Sequence, residues 1–157
     1  MKTFKFCILF CIVFLTISCS KSDKLYPDFD SNYIIFGHFH GECLGEKCVE
    51  TFKLTDKKLY EDTNDDYSGG DYNFIELSEN KFELVKNLKK DFPTELLSEP
   101  KTTFGCPDCA DQGGLVIQYA NNGTIKSWRV DKSKSQVPSY LHNYMDKIEA
   151  AIEQINK

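Results

Sequence analysis

"GGLVIQYANNGTIKSWRV", residues 113–130, sets two apolar-rich runs on either side of Asn122-Gly123. Asn-Gly between such runs is a strong hairpin signal, because a two-residue type I′ turn needs φ > 0 at both central positions. The turn fixes the register: Asn121 faces Thr124, Ile117 faces Trp128, and Leu115 faces Val130. Side chains alternate along a strand. Leu115, Ile117, Tyr119, Trp128 and Val130 therefore share one face, with Lys126 at its edge, and Gln118, Ser127 and Arg129 point the other way. Register and apolar pattern agree, so this hairpin needs a layer to cover its apolar face.

Downstream, "SYLHNYMDKIEAAIEQINK" (139–157) supplies such a layer. Leu141, Met145, Ile148, Ile152 and Ile155 recur at helical spacing, with Ser139 as the expected cap. Covering that stripe with a sheet is worth about 1.5–3 kcal/mol per large side chain. Upstream, "YIIFGHF" (33–39) is rich in aromatic and β-branched residues and predicts a strand. "CVETFKL" (48–54) and "KLYED" (58–62) predict a hairpin around Asp56-Lys57, although neither alternates cleanly, and "NFIEL" (73–77) predicts a further short strand. "ENKFELVKNLKKDFP" (79–93) places Phe82, Val85, Leu88 and Phe92 at helical spacing, with Leu84 beside them. Asn80 and Glu83 make a capping box, and Pro93 ends the segment. The order is strands, helix, strands, helix. It predicts an α+β fold: one mostly antiparallel sheet with two helices packed on one face. Each half runs cysteine pair, hairpin, helix, an echo with little residue identity behind it.

The chain opens "MKTFKFCILFCIVFLTISCSKSD". Lys2 and Lys5 precede twelve uncharged, mostly apolar residues and the small Ser18. That is the layout of a secretory signal peptide over 1–18, too short for a spanning helix of about 20 residues. "LTISC" (15–19) resembles the lipobox of bacterial lipoproteins, with Leu15 one place early and Thr16 in the slot that leucine prefers. The resemblance implies cleavage before Cys19 and diacylglycerol on its sulfur. Two acyl chains give stable anchoring without a helix. Small lipoproteins of Bacteroidota are similar in this looseness and in composition. The family's surface-export signal is acidic, and "SKSDK" is not. The resemblance therefore implies an outer-membrane anchor on the periplasmic face; the polar composition of 19–32 reads as a tether, and the remaining length suits a single domain over 33–157. An ordinary cleaved signal is the alternative. In a eukaryotic secreted protein Asn122 would also be a glycosylation sequon.

The net charge is −5 over 157 residues, and loss of residues 1–18, with two lysines and no acids, leaves −7. An acidic chain without a basic stripe argues against nucleic acid. If Cys7 and Cys11 leave with the signal and Cys19 carries the lipid that the resemblance implies, Cys43, Cys48, Cys106 and Cys109 remain. An even count in an oxidising compartment reads first as disulfides. Three connectivities are open, and local pairs need the least geometric coincidence. The alternative is zinc on four thiolates or a thiol protein, since both spacings suit a zinc site. "CPDC" (106–109) precedes loop and strand, not a helix, which argues against a thioredoxin-like centre. Gly105, Gly113 and Gly114 permit the tight backbone that a local bridge needs.

His38 and His40 lie two apart on the first strand and share a face, without a firm third ligand. Asp62, Asn64 and Asp66 hold calcium-loop positions one, three and five, but Tyr67 and Asn73 replace the glycine and glutamate that such a loop requires. The expected role of 62–72 is a solvated acidic loop. With no nucleophile elbow, phosphate loop, zincin helix or dinucleotide turn, the sequence reads as non-enzymatic and without a cofactor. The expected function is a lipid-anchored envelope domain that binds a protein, peptide or glycan through its free sheet face or its glycine-rich loops.

Overall fold

The computed structural model describes residues 31–157. The signal segment, Cys19 and most of the tether lie outside the described residues. Seven strands form one sheet: β1 (Tyr33–Phe39), β2 (Val49–Leu54), β3 (Leu59–Asp62), β4 (Phe74–Glu76), β5 (Thr103–Phe104), β6 (Gly114–Asn121) and β7 (Thr124–Asp131). Their order is β4-β3-β2-β1-β6-β7-β5. Only β5 pairs parallel, against β7. Helices α1 (Glu79–Val85) and α2 (Ser139–Ile155) pack together on one face, so the fold is the expected α+β sandwich. No helix among the described residues is long and apolar enough to cross a membrane.

β1 is the centre, flanked by β2 on one side and β6 on the other, both antiparallel. The β6–β7 hairpin takes the expected register, with Asn121 opposite Thr124, Ile117 opposite Trp128 and Leu115 opposite Val130. Asn122 (φ 48°) and Gly123 (φ 81°) both adopt the left-handed conformation that the two-residue turn demands. Leu115, Ile117, Trp128 and Val130 are buried beneath the helices, beside Ile34, Phe36, Phe52, Leu54 and Leu59. The expected α2 stripe is wholly buried, joined by Tyr144 and Ala151. Phe92 brings three aromatics together, with its ring 4.6 Å from Tyr119, 6.2 Å from Trp128 and 5.7 Å from Tyr144.

β2 is buried along its whole length, which explains its lack of alternation. Glu50, Phe52 and Leu54 face the helices; Val49, Thr51 and Lys53 face the other way and are buried too. That second face is not free. Its Phe39 carries Tyr67 edge-on at 5.2 Å, and Arg129 stacks 3.6 Å above the same ring. Arg129 also donates to the carbonyls of Tyr67 and Ser68, at 2.9 and 3.4 Å. The loop after β3 therefore lies over the sheet as a lid of its own chain. At the other end of this face the Lys53 ammonium sits 4.2 Å from the centre of the Tyr33 ring.

The first helix differs from expectation. Its cap position is Ser78, not Asn80, and the α-helix ends at Val85, eight residues before Pro93. From there the chain continues in tighter turns, Val85 to Leu88, Asn87 to Lys90, Leu88 to Asp91 and Lys89 to Phe92. Leu88, Phe92 and then Leu96 lie in the core, while Leu84 stays 54% exposed. In α2, Pro138 takes the cap position and Ser139 is the first helical residue. Asn32, at the end of the expected tether, is already tied in: its carbonyl accepts from Lys89 Nζ at 2.8 Å, and its side chain accepts from Asn122 N at 3.1 Å.

Candidate functional site

β1 runs from Tyr33 to Phe39, so the preceding chain enters at one end of the sheet and His40 leaves at the other, about 20 Å away at 3.3 Å per residue. At the His40 end, Phe39 pairs with Val49 and with Gly114. Cys48 immediately precedes β2, the glycine pair Gly113-Gly114 opens β6, and Asp131 closes β7. All four candidate cysteines gather at this pole, joined locally as Cys43–Cys48 and Cys106–Cys109. In this pairing no sulfur is a thiolate, so the four do not assemble a zinc tetrahedron. No group of three or more His, Cys, Asp or Glu among the described residues is placed to hold a metal ion.

The Cys106–Cys109 turn is closed by Cys109 N–H to Cys106 O at 3.2 Å, with Pro107 first and Asp108 second inside it. Asp108 has φ 63°, in the position where such a turn prefers glycine or asparagine. Its carboxylate supplies the compensation. Oδ1 accepts from Gly113 N at 2.9 Å; Oδ2 accepts from Gly41 N at 2.6 Å and from the Tyr67 hydroxyl at 2.9 Å. One side chain thus joins the CPDC turn, the loop after β1 and the loop after β3. Desolvation resists its ionisation, but those three donors outweigh it and hold the carboxyl below its ordinary range.

Asp131 is the second hub, 2% exposed. It accepts from Cys106 N at 2.8 Å, Ser133 N at 2.8 Å and Gln112 Nε2 at 3.2 Å. Desolvation again opposes these donors and loses to them, so this carboxyl is also depressed. Gly105 (φ 69°) packs against the Asp131 side chain where a Cβ would collide. Gly113 (φ 75°) has the His40 ring and the Phe39 carbonyl where a Cβ would stand.

The two histidines do share a face, their rings edge-on at 5.3 Å. Each ring has its own protein partners. His38 Nε2 lies 3.1 Å from Glu50 Oε2 and 3.0 Å from Lys47 O, and Asn156 at the end of α2 donates to Glu50 Oε1 at 2.7 Å. His40 Nε2 lies 3.2 Å from Lys132 Nζ, an arrangement that makes the imidazole the acceptor. Burial first, then the Lys132 and His38 charges, lower the His40 pKa below 6.5. Lys132 is in turn 3.7 Å from Glu149 on α2.

The chain matches no family model and no curated protein. Function at this pole rests on its own geometry.

The calcium-type spacing closes a loop instead. Asp62 Oδ1 accepts from Asn73 N at 2.6 Å and Asn64 N at 3.3 Å. Asp66 accepts from Ser68 N, Gly70 N and Asp71 N and from the Ser68 hydroxyl, which lowers its pKa to about 2. The roles of Asp108 and Asp131 escaped the sequence, though an aspartate at the glycine-favoured position of a CPxC turn was a usable signal. So did Leu44, fully exposed inside the Cys43–Cys48 loop, where a disulfide holds an apolar side chain out in solvent.

Proposed function

We propose that this chain is an exported, lipid-anchored envelope protein without catalytic activity, whose disulfide pole binds a protein or peptide partner. The leader and "LTISC" support the anchor at Cys19. One observation carries the binding role: both disulfide loops sit at the end of β1 opposite the end where the preceding chain enters. A domain tethered through residue 32 and anchored in the outer membrane, towards the periplasm, holds that pole away from the lipid. Local disulfides and the Asp108 and Asp131 hubs keep the pole rigid, which lowers the ordering cost of association. Leu44 is its apolar contact, and the Glu42, Asp111 and Lys47 rim is polar, as an interface edge is.

Two measurements test the proposal. Intact mass of protein from its native membrane is expected to show a chain starting at diacylated Cys19, lighter by two hydrogens for each of two bridges. An unprocessed chain in the cytosol would remove the anchor and the compartment together. Pull-down from solubilised envelope with lipid-free protein is expected to recover a partner that the Leu44→Asp variant loses. Equal recovery by both proteins places binding elsewhere.

A further inference from the structure

The two disulfides of the pole are held differently. Cys43 is exposed, but its partner Cys48 is 8% exposed and leads directly into β2, and the Cys48 carbonyl accepts from His40 N at 2.8 Å. Cys106 and Cys109 are both exposed. Their turn is kept by bonds that involve no sulfur. Cys109 N donates to Cys106 O, Asp108 N donates to Gly113 O at 3.0 Å, and Gly113 N donates to Asp108 Oδ1. Cys106 N is held by Asp131, while Gln112 bonds Cys106 O at 3.1 Å and Ala110 N at 2.9 Å. A bridge across so short a loop adds little constraint to a backbone already fixed. In the closed bridge the two Cα atoms are 5.5 Å apart.

From this contrast we propose that Cys106–Cys109 is a reversible thiol–disulfide exchange site operating within the folded protein, while Cys43–Cys48 remains closed as a staple. The proposal goes beyond partner binding and does not depend on the lipid anchor. A thiolate of a dithiol-bearing partner attacks Sγ of Cys106 or Cys109. The S–S bond breaks, the released sulfur takes a proton, and a mixed disulfide joins the two proteins. The partner's second thiol attacks its own sulfur in that bond and frees the remaining cysteine. The partner ends as a disulfide, and the Cys106–Cys109 pair has gained two electrons and two protons. The partner supplies the nucleophile, and this pair, which the structure shows as a disulfide, is the electron acceptor.

The test equilibrates the full-length protein with graded ratios of reduced to oxidised glutathione. Alkylation and peptide mass quantify each pair, and Trp128 fluorescence reports the fold. The expected result is that Cys106–Cys109 opens and recloses with the Trp128 signal unchanged. It should do so at a ratio about tenfold or more less reducing than Cys43–Cys48 requires, about 30 mV for a two-electron couple. The proposal is overturned if the pairs open together with loss of the Trp128 signal, if Cys43–Cys48 opens first, or if Cys106–Cys109 never opens. The Cys106→Ser, Cys109→Ser double variant gives a second measurement. It is expected to keep the wild-type Trp128 signal, and its failure to fold would mean that the bridge, not the hydrogen bonds, orders the turn.

Discussion

Tyr67 donates its phenolic hydrogen to Asp108 Oδ2 across 2.9 Å, fastening the loop after β3 to a turn 41 residues later in the chain. The same oxygen takes Gly41 N, so three loops from three parts of the chain end on one carboxylate. The lid over Phe39 and the shape of the disulfide pole are therefore a single construction.

Replacing Asp108 tests that construction. Asp108→Ala strands the three donors and leaves alanine in a left-handed position. The expected result is a lower urea midpoint and faster proteolysis within 62–73. Asp108→Asn tolerates the backbone and is expected to fall between. The depressed carboxyl gives a sign as well. Its stabilisation is complete above the ordinary value of 3.8 and is lost as pH falls through the lower folded value. Asp108→Asn is expected to flatten the acid limb below pH 3.8, incompletely because Asp131 is depressed too.

His40 acts on the opposite form of the side chain. Folding lowers its pKa, so the unfolded chain binds the extra proton first, and stability falls as pH drops below 6.5. Thermal midpoints from pH 7.5 to 5 are expected to decline, and His40→Gln is expected to reduce that decline. A slope unchanged by the substitution would assign it to another group.

Gly113→Ala and Gly123→Ala separate conformational strain from collision. Both glycines have positive φ, but Gly123 has open space where a Cβ would stand and Gly113 has His40 and the Phe39 carbonyl. Gly123→Ala is expected to cost about 1–2 kcal/mol from left-handed geometry alone. Gly113→Ala is expected to cost more, about 3 kcal/mol or above, as a contact with main chain adds to the strain. Urea unfolding of the two variants decides between them.

Two leucines of one segment make a contrast in the core. Leu96 is fully buried and Leu84 is 54% exposed. Leu96→Ala is expected to lose about 2–5 kcal/mol, and Leu84→Ala to stay within about 0.5 kcal/mol of wild type.

Tyr144 packs its ring against Phe92, and its buried hydroxyl has no hydrogen-bond partner among the described residues. Tyr144→Phe keeps the ring and removes the desolvated hydroxyl. Stability is expected to rise by about 1 kcal/mol, and a clear loss in urea unfolding would show that the hydroxyl is satisfied in solution.

The amino-acid sequence alone determined the β6–β7 register, the buried stripe of α2 and the fold class. The first two follow from alternation, helical period or turn chemistry within about twenty consecutive residues, and the fold class follows from the order of such segments. Its local signals misplaced the end of α1, because Leu88 and Phe92 fit a period of 3.6 even though the chain beyond Val85 runs in three-residue turns. The pairing of cysteines stayed open in the sequence, since spacing suits a bridge and a metal equally. Only the tertiary structure buried both faces of β2, laid the 63–73 loop over Phe39, and made Asp108 and Asp131 hubs. Those arrangements depend on bonds between segments up to 67 residues apart, and no local pattern records which distant amide will meet a given carboxylate.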